Sequence, residues 1–96
     1  MSRYRLTPGA RSDLSSIWDF TEERWDLGQA ETYLSEIRAA LERIAAEPSR
    51  GRRCDEVRDG YRRYGIGSHL IYYRERDHGV DVIRILHQRM DPSRHL

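Results

Sequence analysis

The sequence predicts an α+β domain of two layers, an antiparallel helical hairpin laid on a mostly antiparallel sheet. Three observations predict it. Apolar residues between positions 8 and 48 recur at helical spacing in two runs. Aromatic and β-branched residues then concentrate after position 60, with turn residues between the runs. A short alternating segment precedes the first helix. The expected order is strand, helix, helix, strand, strand, strand, and the 96 residues form one domain, 1–96.

Arg3 to Leu6 alternates Tyr4 and Leu6 with arginines and reads as a strand. Thr7-Pro8 opens a helix, with Thr7 as N-cap and Pro8 in the first turn. Ala10, Leu14, Ile17, Trp18, Thr21 and Trp25 share its apolar stripe, and Phe20 lies off it. Leu27-Gly28 is expected to break this helix. Ala30, Tyr33, Leu34, Ile37, Leu41 and Ile44 mark the second, which Pro48 and Gly51 end. Residues 49–60 read as a charged connector. Strands are expected over Tyr61–Ile66, Ser68–Arg76 and Val80–Gln88, with a tight turn at Asp77-His78-Gly79. Arg84 is expected to point opposite to both Ile83 and Ile85. With direction alternating at each step, the helices cover one sheet face and leave the other open, rich in Arg and Tyr.

Composition excludes several classes. No apolar run approaches the ~20 residues that a membrane span needs. The N-terminus lacks the apolar core of a signal peptide, so the expected location is the cytoplasm. One cysteine, Cys54, forms no internal disulfide and no cysteine-rich zinc site. All 17 basic residues are Arg. Residues 1–48 hold 6 Arg against 9 acidic groups and residues 49–96 hold 11 against 7. The near-neutral total argues against strong binding of free nucleic acid, while an Arg-rich face suits bidentate pairing with a partner's carboxylates.

Chemistry-bearing patterns are sparse. His69, His78, His87 and His95 lack the i, i+3 or i+4 spacing of a helical ligand pair, so no metal is expected. Gly65-Ile66-Gly67-Ser68 has no P-loop Lys and no following helix. The serines and carboxylates of the first helix have no elbow or cleft context, and no cofactor motif is present. Trp18, Trp25 and Tyr33 read first as core, with a surplus of aromatic surface left for a protein partner.

The chain resembles the ParE branch of the RelE/ParE toxins. The resemblance rests on Leu6-Thr7-Pro8 with Ala10 and Asp13-Leu14, and on Ile17-Trp18, Trp25 and Gly28-Gln29-Ala30 with Tyr33. It continues through Arg58, Gly60-Tyr61-Arg62, Gly67-Ser68-His69 and Tyr72-Tyr73-Arg74. The run Ile83-Arg84-Ile85-Leu86-His87-Gln88-Arg89-Met90 carries it furthest. It implies a bacterial type II toxin–antitoxin protein that inhibits DNA gyrase without catalysis and is neutralised by a ParD-like antitoxin.

On that reading, target-binding candidates are Arg62, Arg84, His87, Arg89, Met90 and His95. Antitoxin-binding candidates are Trp18, Phe20, Trp25, Tyr33, Ile37 and Arg74. The alternative is a ribosome-dependent messenger-RNA nuclease of the RelE type, built around Arg62, His87 and His95. Tyr64 and Leu70 stand where that branch carries further basic residues, and Leu70 cannot neutralise a phosphate. A third reading is a small binding module whose only role is its complex.

Overall fold

The computed structural model describes residues 3–96. Among the described residues two α-helices and five strands follow in order. They are β1 (Tyr4–Leu6), α1 (Pro8–Arg24), α2 (Leu27–Ala46), β2 (Arg52–Arg53), β3 (Tyr61–Ile66), β4 (His69–Arg76) and β5 (Gly79–His87). They form a five-stranded sheet ordered β1-β5-β4-β3-β2, with the helical hairpin on one face. No helix among the described residues is long and apolar enough to cross a membrane.

The first helix starts as its sequence requires. Thr7 is extended, and its Oγ1 accepts the Ala10 N–H at 3.1 Å while donating to the Ile83 carbonyl at 2.6 Å. One side chain thus caps α1 and ties it to β5. The break falls earlier than Leu27-Gly28. Helix α1 stops at Arg24, and Asp26 caps α2 by accepting the Gln29 N–H, so Leu27 and Gly28 lie inside α2.

The charged connector contains a strand, β2, that the expected order lacks, and it corrects the topology. Alternation over strand, helix, helix and three strands would make the first and last strands antiparallel. The extra strand, antiparallel to β3, adds one reversal, so β1 and β5 run parallel. The remaining pairings are antiparallel.

A second correction concerns β5. Tyr72 pairs with Arg84 and Tyr73 with Val82, which leaves Ile83 as a bulge. The extra residue shifts the alternation. Ile85 joins the helix-side core, and Ile83 packs against the cluster on the other face. Arg84 therefore does not oppose both isoleucines.

Nor is the far face wholly open. Cys54, Tyr61, Tyr72 and Leu86 form a second small core, roofed by Val57 of the connector and by Leu96 of the tail. Burial pushes the Cys54 thiol pKa up, so it remains protonated. The other buried tyrosine, Tyr73, belongs to the helix-side core. Its hydroxyl accepts the Gly51 N–H at 2.8 Å and donates to the Pro48 carbonyl at 2.7 Å. That contact anchors the chain after α2. Removing it in Tyr73→Phe leaves a donor and an acceptor unpaired. It will cost about 2 kcal/mol of stability in urea unfolding.

Candidate functional site

Two recesses flank the helical hairpin. The first is a groove of about 440 Å³ lined by Leu6, Leu14, Trp18, Leu34, Arg38 and Leu41 among others. Leu14 and Trp18 are one helical turn apart on α1. Leu34, Arg38 and Leu41 repeat the same spacing on α2. The hairpin thus builds a largely apolar trough bordered by β1, with Glu31 and Arg38 as its charged lining.

The second recess, about 240 Å³, lies between the α1–α2 break and the ends of β4 and β5. Phe20, Trp25, Tyr33, His69 and His87 wall it. Phe20 is 58% exposed and Trp25 70% exposed. The helical stripe of α1 predicts Trp25 in the core, and the structure places it outside. It has left the helix at φ −120° and ψ −88°, so the stripe that holds Ile17 and Thr21 inside no longer carries it. Leu27 and Met90 are the other large exposed apolar side chains among the described residues. Leu27 follows Trp25 by two positions, and the Met90 N–H bonds the His87 carbonyl.

The floor of this recess is polar and tightly bonded. His69 and His87 are direct cross-strand partners, with ring centroids 5.4 Å apart in an edge-to-face arrangement. The Tyr33 hydroxyl accepts the Ser68 N–H at 3.1 Å and donates to the Ile66 carbonyl at 3.2 Å. It also lies 2.6 Å from His69 Nδ1. All three contacts hold together when His69 carries its proton on Nδ1. His87 Nδ1 accepts the Arg89 N–H at 3.1 Å, which places the proton of the neutral ring on Nε2. A metal ligated through Nε2 of both rings would have to break that bond. Among the described residues no three His, Cys, Asp or Glu side chains come together as a metal site.

Burial first, and then the neighbouring His87, hold the His69 imidazole below its ordinary pKa, with Asp13 opposing. The unfolded chain regains a value of about 6.5 and so takes up the proton first as pH falls. His69 therefore stabilises the fold fully above that pH. The contribution is lost as pH falls through it toward the lower folded value. Urea midpoints measured on either side of that pH will show the loss, and His69→Gln will flatten it.

The twelve sequence candidates fall in separate places. Phe20, Trp25, Tyr33 and His87 meet at the second recess, with Arg89 and Met90 on the adjoining turn. Trp18 lines the groove, and Ile37 lies at its base, fully buried in the core. Arg74 stands on the far face beside Asp81. Arg84 is turned inward onto Asp13, at 2.7 and 2.8 Å, and its Nη1 donates to the His95 carbonyl. Arg62 donates to the Gly51 carbonyl from the end of the sheet remote from His87. Arg62, His87 and His95 are thus not assembled as one cluster.

Sequence reasoning missed His69, Leu14 and Leu34 as site residues. His69 is visible only through strand register. Leu14 and Leu34 carried a helical signal that spoke equally for the core.

Comparison with known proteins agrees with this architecture. Residues 4–92 match the family described as the ParE toxin of type II toxin–antitoxin system, parDE. The chain is 52% identical over 96 residues to Toxin ParE1 of Mycobacterium tuberculosis, covering 99% of this chain and 98% of that protein. It is 43% identical over 96 residues to Toxin ParE1 of Caulobacter vibrioides, covering 100% and 99% respectively. The fold matches a chain of the structure titled "Chromosomal ParDE TA system from P. aeruginosa". That match has a TM-score of 0.76 at 16% identity and covers 88% of this chain and 92% of the other. Two helices on a five-stranded sheet, joined to full-length identity of this order, place this chain in the ParE toxin family of type II toxin–antitoxin systems.

Proposed function

We propose that this toxin acts by binding rather than by turnover, with DNA gyrase as its target and a ParD-like antitoxin as its silencer. The observation that carries the reading is a pair of apolar recesses on either side of α2, one walled by half-buried Leu14, Trp18 and Leu34 and the other by exposed Phe20 and Trp25. Contiguous accessible apolar surface on a small domain marks a site of protein–protein contact. The groove suits an amphipathic segment that lays apolar side chains against Leu14, Trp18 and Leu34. The second recess, with Phe20, Trp25, Arg89 and Met90 around His87, suits contact with the target. Tyr33 and His69 hold its floor. Dispersal of Arg62, His87 and His95, with Leu at position 70, speaks against phosphodiester cleavage at that set.

Expression without antitoxin should cause filamentation and DNA damage, and the purified chain should block gyrase supercoiling. Normal supercoiling together with fresh transcript ends in arrested cells would reject the reading in favour of the nuclease.

A further inference from the structure

Three guanidinium groups converge on one carboxylate on the face of the sheet away from the helices. Tyr4, Leu6, Tyr73, Val80 and Val82 contribute to the helix-side core. Alternation therefore turns Arg5, Arg74, Arg76 and Asp81 to the other side. Asp81 pairs in register with Arg5 on one flank and with Arg74 on the other. Its carboxylate lies 3.3 Å from Arg5 Nε, 3.6 Å from Arg74 Nε and 3.6 Å from Arg76 Nη1. The Asp81 side chain is only 14% exposed, whereas those of Arg5 and Arg74 are 68% and 57% exposed.

The arrangement leaves positive charge unspent. Each guanidinium offers five N–H donors, and one carboxylate accepts about four hydrogen bonds. Only the Arg5 contact is also a hydrogen bond between these side chains. Asp81 sits beneath the three forks and keeps them together, so an incoming acceptor finds donors already gathered. A hollow of about 530 Å³ adjoins the cluster, lined by Arg5, Arg11, Thr7 and Asp81 among others. Leu6 lines both this hollow and the apolar groove. A chain lying in the groove and turning past β1 would reach Arg5.

We propose that the Arg5–Arg74–Arg76 cluster around Asp81 is a docking subsite for an Asp or Glu side chain of the antitoxin. It rests on the antitoxin reading above and names the chemistry of one contact within it. Charge complementarity selects the occupant. Duplex DNA spreads its charge, about one per 1.7 Å of axis, and rewards cations set along a line. Here the cations meet at a point and already hold one carboxylate, which opposes a dense run of phosphates but leaves room for a single further acid. Arg suits that role through its planar fork.

The test compares the wild-type chain with Arg5→Ala/Arg74→Ala for binding to a purified ParD-like antitoxin that neutralises the wild-type chain, at low and at physiological salt. The double variant should bind about ten-fold more weakly or worse, with a flatter salt dependence. Its unfolding midpoint should fall only slightly, because Arg76 remains 3.6 Å from Asp81 and the two arginines removed are largely exposed. Arg74→Glu should be rescued by reversing one particular acidic residue of the antitoxin. Equal affinity and equal salt dependence in the double variant would overturn the subsite alone. Loss of binding to a short duplex oligonucleotide, with antitoxin affinity intact, would overturn it in favour of a phosphate surface. A wild-type chain that bound no antitoxin would overturn the antitoxin reading, and the subsite with it.

Discussion

Asp13→Ala will lower the unfolding free energy by about 3 kcal/mol and the melting midpoint by more than about 10 °C. Asp13 accepts the Arg84 Nε–H at 2.7 Å, the Arg84 Nη2–H at 2.8 Å and the Ile85 N–H at 2.8 Å. Its side chain is 13% exposed and that of Arg84 25%. Removing the carboxylate strands a guanidinium and a backbone donor where water reaches them poorly. It also loosens the Arg84 fork that holds the His95 carbonyl, and with it the tail whose Leu96 covers the second core. The hydrogen bonds that Arg84 donates to Asp13 raise its pKa further, so the guanidinium stays charged. Gly9 belongs to the same lock, since a Cβ there would come within 2.8 Å of Arg84 Cδ. Asp13→Asn keeps the shape but turns an N–H₂ toward donors, and should fall between wild type and Ala. A loss below about 1 kcal/mol would place the pair with ordinary surface ion pairs. Domains of this kind have only about 5–15 kcal/mol in total, so the larger value would be visible at growth temperature.

Trp18→Ala will weaken antitoxin binding about 30-fold or more, an interfacial anchor of this size contributing about 2 kcal/mol or more. Trp18 is half-buried on α1 and lines the groove with Leu14 and Leu34. Its ring offers a wide apolar face to an incoming helix while its base is already held by the hairpin. Titration calorimetry with purified antitoxin measures the change. An affinity within three-fold of wild type would move the antitoxin interface away from the groove. Trp25→Ala serves as the contrast. It sits at the second recess, so its loss should fall on gyrase inhibition more than on antitoxin affinity.

The two helices were legible because their signals are local. Thr7-Pro8 sets the start of α1, and Leu34, Ile37, Leu41 and Ile44 repeat at helical spacing wherever the helix is placed. Strand β2 was not legible. Arg52 and Arg53 carry no apolar alternation, and they are extended only because β3 offers them backbone partners. The bulge at Ile83 was hidden for a related reason. Val82, Ile83 and Ile85 are all apolar, so hydrophobicity alone cannot say which of them faces the helices.

The candidate site was legible in part. Phe20 stood out as an off-stripe aromatic and is exposed at the second recess. Trp25 and Met90 were named and are exposed as well. The partners that organise the site were not visible. His69 meets His87 through cross-strand register, and Arg84 meets Asp13 across 71 residues of chain. The arginines read as one open face divide into internal locks, at Arg62 and Arg84, and the cluster at Asp81.

By itself the sequence determined both helices and their hairpin, four of the five strands and the turn at Asp77-His78-Gly79. Each of these is written in neighbours a few positions apart, where spacing and turn chemistry act directly. Only the tertiary structure decided that β1 runs parallel to β5, that the far face carries its own core, and which arginines remain available to a partner. Those outcomes depend on pairings between distant segments, and an Arg side chain looks the same in a sequence whether or not a buried carboxylate is waiting for it.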